Sequence, residues 1–316
     1  MKIFFLVNPR AGDTGAGIED HIHSSMQEAG MGRDSYCIEM TEEETCAKQI
    51  INAFKNSDTV IGMGGDGTVH EIIKGYMETG DPSKRIGLIP AGTGNDFFRH
   101  FCSYGEYRKK RESYISRLIA GKTETHSVWS LGNIFFTNYF SIGYDAAVIS
   151  AFDAKRKKRG KRTGRMRNYI AYALLGIANM NFSIKGEAVV ETDSGEVRSG
   201  KGIIISNIRR YAGGSCLPWQ SGETLCAVPF RHSLDYLKLM LSRVRGKPVT
   251  TGGTVFFKEG IFKHLPDTPI QIDGEVYTIE DTGMNPEIRM AGTVNVLLPR
   301  QSLPAVETSL PLKGDG

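Results

Sequence analysis

Apolar positions fall into two textures along the chain. Up to about residue 127, short apolar runs alternate with longer stretches in which apolar residues recur every three or four positions. Lys2–Val7, Ser35–Met40, Thr59–Met63 and Arg85–Ile89 have strand character, ended by Asn8-Pro9, by glycines or by Pro90. Gly17–Ala29, Glu42–Asn56 and Val69–Met77 have helical spacing, with Ile50, Ile51, Ala53 and Phe54 at core positions of the second. Strand and helix in alternation predict an α/β domain with a mostly parallel sheet covered by helices on both faces. Ligands bind such sheets at the carboxyl ends of the strands. The loops at those ends are NPRAG, the region of Thr41, GGDGT and PAGTGND, so four polar, glycine-rich loops converge on one edge.

Beyond about Ser127 short strand-like runs dominate: Ile134–Tyr139, Ala188–Thr192, Gly202–Ser206, Thr254–Phe257, Ile270–Ile272 and Val294–Leu298. Turn signals such as Asp193-Ser-Gly195 and Thr251-Gly-Gly253 separate them, which predicts a predominantly antiparallel β-sandwich. The expected division is an α/β domain over 1–127, completed by the C-terminal segment 296–316, and a sandwich domain over 128–295.

Composition adds one local feature. The formal charge is +4, yet nine Lys or Arg and no acid fall between Ala154 and Asn168, so the rest of the chain is net acidic. The run has no interleaved aromatic residue and no recognised motif, which argues against nucleic acid. Beside the apolar NYIAYALLGIANM it suits an anionic lipid surface, through Lys155 to Arg167, against the plainer reading of a solvated loop. The longest apolar run is about half of what a membrane span needs. Five cysteines, none in a C-x-x-C pair, suit a reducing compartment, so the expected location is cytoplasmic and peripheral at the membrane.

The stretch GMGGDGTVHEII at 62–73 carries the chemistry. Gly62, Gly64 and Gly67 match G-x-G-x-x-G, but the match follows the third strand and no acid ends the next one, which weakens a dinucleotide reading. Asp66 within an anion-holding turn makes sense if a cation stands between it and the phosphates. His70, just after the turn, reads as a surface residue at a helix start. For Asn95 and Asp96, turn or helix capping is as good a reading as ligand contact.

GGDGTVHEII at 64–73, followed by IPAGTGNDFFRH at 89–100, resembles the diacylglycerol kinase catalytic-domain family, whose superfamily includes sphingosine kinases and NAD kinases. NPRAG at 8–12, SIGYDA at 141–146 and IQIDGE at 270–275 follow in the family's order, so the resemblance spans nearly the whole chain. It implies an ATP-dependent lipid kinase with nucleotide and Mg²⁺ in a cleft between the two domains. Asn8, Arg10, Ala11, Gly12 and Thr41 would line the nucleotide. Gly64, Gly65, Asp66, Gly67 and Thr68 would hold the phosphates, with Asp66 facing the nucleotide's Mg²⁺, and Gly92, Thr93 and Gly94 would close the other side. Asp273 would take the proton of the lipid hydroxyl with Glu275 beside it, although an Asp-Gly hairpin turn explains the same residues. Family members with a structural magnesium carry an Asp-rich segment after the glycine turn. Here SCLPWQSGETLCAV follows Tyr211-Ala-Gly-Gly214, with only Glu223 to offer, which makes that second metal doubtful. A diacylglycerol-like acceptor, a sphingoid or other amphiphile, and an inactive nucleotide- and membrane-binding regulator stay open, as does assembly, a homodimer included.

Overall fold

A computed structural model describes residues 2–12, 14–15, 17–159, 186–264, 270–283 and 286–300. Strands β1 (Ile3–Val7), β2 (Tyr36–Met40), β3 (Thr59–Gly64) and β4 (Arg85–Pro90) lie parallel in the order β2-β1-β3-β4. Helices α1 (Ile18–Glu28), α2 (Cys46–Asn56) and α3 (Asp66–Thr79) connect them, as the sequence pattern predicts. β1 and β3 are buried along their whole length, so their apolar runs do not alternate. Three short helices follow: α4 (Asp96–Phe101), α5 (Tyr104–Lys109) and α6 (Tyr114–Ile119).

The second domain is antiparallel. One sheet has the order β14-β13-β10-β7-β16-β17, with β7 (Tyr139–Gly143), β10 (Gly202–Ser206), β13 (Leu225–Phe230), β14 (Val255–Phe257), β16 (Ile270–Ile272) and β17 (Glu275–Tyr277). Facing it are β5 (Lys122–Leu131), β6 (Ile134–Phe136), β8 (Ala188–Thr192), β9 (Gly195–Ser199) and β15 (Gly260–His264). Trp129, Phe136, Val190 and Phe262 of this layer pack against Phe140, Ile203, Leu225 and Ile272 of the first. Ile204 points the other way, into a core with Tyr144 and Val148 of helix α7 (Tyr144–Arg159) and with Tyr236 and Leu239 of helix Ser233–Arg245. That double burial is why residues 203–205 are three consecutive isoleucines.

Strand β18 (Glu287–Leu298) joins the two domains. Its start pairs with β15 and β5, and Val296 and Leu297 then pair in parallel with Ile86 and Gly87 of β4. The strand is longer than the run Val294–Leu298 suggests, because its first half is half exposed and carries a bulge near Met290 and Gly292. The expected strand Ile134–Tyr139 divides into β6 and the start of β7, with Thr137 and Asn138 forming a buried corner. Most of the basic run, the apolar NYIAYALLGIANM and residues 301–316 lie outside the described residues; Lys155 to Arg159 belong to the end of α7. No described helix is long and apolar enough to cross a membrane.

Candidate active site

The four loops of the sequence reading meet at the carboxyl edge of the parallel strands. Asn8 is tied in on both sides: its Nδ2 donates to Thr68 Oγ1 at 3.0 Å, and its Oδ1 accepts from the Arg10 N–H at 2.9 Å. Ala11 returns its N–H to the Asn8 carbonyl, with exposed Gly12 beyond it, 3.7 Å from the Ala91 carbonyl when extended by a Cβ. The Arg10 side chain is exposed and paired with Glu43. Thr41 follows β2 and donates its N–H to the Val7 carbonyl at 2.8 Å.

Two glycines here are steric requirements. A Cβ on Gly64 would stand 2.2 Å from Thr68 Oγ1, because α3 turns straight back over the strand that feeds it. One on Gly92 would stand 2.4 Å from the Gly65 Cα, a contact between two backbones that no rotamer relieves. Ala91 and Gly92 donate to the Gly64 carbonyl at 2.8 and 3.2 Å, so GGDGT and PAGTG form one cradle, with Thr93 exposed at its rim and exposed Gly67 opening α3. On the nucleotide-site reading of the sequence, Gly92→Ala is therefore expected to separate these loops and weaken nucleotide binding at least tenfold with little loss of secondary structure. Isothermal titration with a nucleotide reads this directly.

Asn95 does more than cap a helix. In the left-handed conformation (φ 53), it donates through Nδ2 to the Gly92 carbonyl at 2.8 Å and accepts the Gly92 N–H at 3.0 Å, locking the PAGTG turn. The expected local capping by Asp96 gives way to a bond across the domains. The Asp96 carboxylate accepts the Tyr139 hydroxyl at 3.1 Å and the Gly213 N–H at 2.9 Å. Asp66 accepts the Phe97 N–H at 3.1 Å, which turns it toward Asp96. Burial first, then the neighbouring Asp96 charge, pushes the Asp66 carboxyl up to about 7, against backbone hydrogen bonds that pull it down.

The second inter-domain bond corrects the reading of His70. It is buried, four residues after Asp66 on the same face of α3, and its Nδ1 lies 2.9 Å from Asp273 Oδ2. Asp273 occupies the hairpin turn between β16 and β17 with φ 48, as the Asp-Gly turn reading expects. Its carboxylate is saturated. Oδ1 accepts the Asn138 and Tyr139 N–H groups at 2.9 and 3.0 Å. Oδ2 accepts the Thr137 N–H at 2.8 Å, the Thr137 hydroxyl at 3.1 Å and His70. Burial would raise the Asp273 pKa, but the His70 bond and charge and these N–H groups outweigh it and hold it below the usual carboxylate range. Burial likewise disfavours the His70 cation, yet the bond and charge of Asp273, with Glu275 and Glu71 behind, raise its pKa overall. Glu275 itself is exposed on β17, where its carboxylate accepts the Tyr277 hydroxyl at 3.4 Å.

No group of three His, Cys, Asp or Glu side chains among the described residues is arranged as a metal site. The residues present do fit a magnesium ion carried by a nucleotide. Asp66 and Asp96 are hard oxygen donors whose mutual repulsion a divalent cation offsets, and Gly94 lets the backbone pass Asp66 Oδ2 where a Cβ would stand only 2.8 Å away.

Comparison with known proteins agrees with this architecture. The profile of the Diacylglycerol kinase catalytic domain matches residues 2–131, and that of the Diacylglycerol kinase accessory domain matches residues 135–276. A protein of Staphylococcus carnosus bearing the name "Putative lipid kinase" is 25% identical over 270 residues, covering 81% of this chain and 80% of its own. Diacylglycerol kinase zeta of Rattus norvegicus is 26% identical over 258 residues, 68% of this chain and 27% of that longer protein. The crystal structure of a diacylglycerol kinase from Bacillus anthracis superposes with a TM-score of 0.67, covering 96% of this chain and 98% of that one, at 16% identity, a likeness of fold.

Proposed function

The chain belongs to the diacylglycerol kinase family, with both its catalytic and accessory domains, and on that premise we propose that it transfers the γ-phosphoryl group of ATP to the hydroxyl of a lipid such as diacylglycerol. The observation that carries this reading is the meeting, at one sheet edge, of a glycine cradle suited to phosphates with an Asp–His pair that spans the two domains. The N–H groups of residues 64–68 and 93–94 and the start of α3 would hold the phosphates. Magnesium bound with the nucleotide beside Asp66 would offset the charge of the transferred group.

The proton acceptor in this reading is His70 rather than Asp273. A carboxylate with five donors and a lowered pKa is a poor base, whereas Asp273 fixes His70 Nδ1 and leaves Nε2 unbonded among the described residues. The acceptor oxygen forms its bond to the γ-phosphorus while its proton passes to Nε2 of neutral His70. The β–γ bridging oxygen leaves with ADP. Asp273 is then the positioning residue, in the arrangement that orients an imidazole in other proton transfers.

Incubation of the purified chain with labelled Mg-ATP and a total lipid extract tests the reading. A labelled phospholipid product is expected, identified by its chromatographic mobility and by loss of label after phosphatase treatment. Nucleotide binding without any labelled lipid would overturn it in favour of a binding protein.

A further inference from the structure

Helix Ser233–Arg245 has one face inside the second domain and one outside it. Tyr236, Leu239 and Ser242 are buried, and the Ser242 hydroxyl accepts the Cys216 N–H at 2.8 Å. The opposite face carries Leu234, Leu237, Leu241 and Val244, which are 57, 46, 42 and 85% exposed. Their spacing of three, four and three residues draws a continuous apolar stripe along three turns. Isolated exposed leucines are ordinary, but three leucines and a valine in register on one helix face are not.

Charge identifies the partner. Exposed Arg231, Lys238, Arg243, Arg245 and Lys247 border the stripe. The single acid in this segment, Asp235, is buried and engaged with the N–H groups of Arg231 and His232 and with Lys238. An apolar stripe edged by cations is the pattern of a helix lying in the interface of an anionic bilayer. Position points the same way. Arg243 Nη1 and Nε lie 3.7 Å from where a Cβ would stand on Gly213 and Gly214, respectively, and Gly213 donates to Asp96 at the cleft. The last turn of the stripe is thus next to the site.

We propose that helix Ser233–Arg245 docks on an anionic membrane surface through Leu234, Leu237, Leu241 and Val244, holding the cleft beside the bilayer. The inference rests on the lipid-kinase reading for its purpose, though not for its test. It is also separate from the basic run at 155–167, which contributes none of these residues.

The test is sedimentation of the full chain with vesicles of phosphatidylcholine alone or with phosphatidylglycerol. Binding is expected with the anionic vesicles and should weaken as salt rises. Leu237→Glu/Leu241→Glu/Val244→Glu should weaken it roughly tenfold or more, because apolar burial and charge attraction are both lost. Arg245→Glu/Lys247→Glu, which leaves the apolar stripe and the Asp235–Lys238 pair intact, should weaken it and flatten the salt dependence. Both variants should keep the wild-type Tm and full activity on a monodisperse short-chain diacylglycerol. Undiminished vesicle binding by the triple variant overturns the proposal. So does a fall in its Tm, which would mean that the stripe packs within the chain, or loss of a wild-type dimer, which would mean that a second copy covers it. Absence of activity on the monodisperse lipid in every form would instead refute diacylglycerol as the acceptor, with docking judged by sedimentation alone.

Discussion

His70→Gln is expected to lower kcat by about 10²–10⁴-fold, the usual contribution of a positioned general base, while KM for ATP changes little. The bond its side chain makes is to Asp273 of the second domain, so nucleotide binding should survive its loss. The pH profile separates this role from a structural one. In the proposed mechanism neutral imidazole is the working form, so kcat/KM of the wild type should rise with pH through the raised His70 pKa and then level off. In Asp273→Asn the partner that raises this pKa is gone. Its acid limb should move to lower pH as the rate falls. Were Asp273 the base, His70→Gln would retain most activity, and the wild-type limb would lie far below neutrality, where the lowered Asp273 pKa puts it. Stability supplies a second readout. The raised His70 pKa gives stabilisation that is complete below its unfolded value of 6.5 and is lost as pH rises through the folded value. The lowered Asp273 pKa gives stabilisation that is present above 3.8 and lost in acid. The pair therefore contributes most between these limits. His70→Gln should lower Tm most near pH 5 and least at pH 8, as differential scanning fluorimetry would record.

The elements of the first domain were legible because each strand run is closed by Asn-Pro, glycine or Pro90, and each helix keeps one apolar stripe. The cradle was legible for a related reason: its glycines, Gly64 and Gly92 among them, are demanded by contacts between nearby loops. What could not be read was anything closed by the joining of the two domains. His70 and Asp273 are 203 positions apart, and Asp96 and Gly213 are 117 apart. No local pattern encodes such pairings. One signal was present for His70, since Asp66 and His70 stand four apart and so share a face of α3. Asp273 shows the opposite difficulty. Its residue type and turn were evident, but the five donors that fill its carboxylate come from Thr137 to Tyr139 and from His70, through a corner that read as uninterrupted strand. Identity of a residue was visible in the sequence, whereas its protonation and availability depend on these partners.

Asp66→Asn should abolish detectable transfer and, in the same protein, raise thermal stability above neutral pH. The amide can keep the hydrogen bond from the Phe97 N–H while removing a negative charge held beside Asp96. In the folded protein the Asp66 carboxyl keeps its proton up to about pH 7, whereas its ordinary value is 3.8. The native state thus binds the extra proton between those values, and its stability falls as pH rises through that window, then changes no further from this group. A shift of this size corresponds to a cost on the order of a few kcal/mol once the carboxyl is ionised, and each kcal/mol is read as about 2–4 °C in a chain of 150–250 residues. At pH 8 the variant should therefore melt several degrees above the wild type, and at pH 5 the gap should narrow. Magnesium with nucleotide should reverse the order at pH 8, because a cation beside Asp66 favours the ionised carboxyl that only the wild type has. A variant that melts below the wild type at pH 8 without ligand would show that Asp66 is held for structure. The expected crossing, less stable alone and more stabilised with Mg-nucleotide, is what a carboxylate retained for phosphoryl transfer requires.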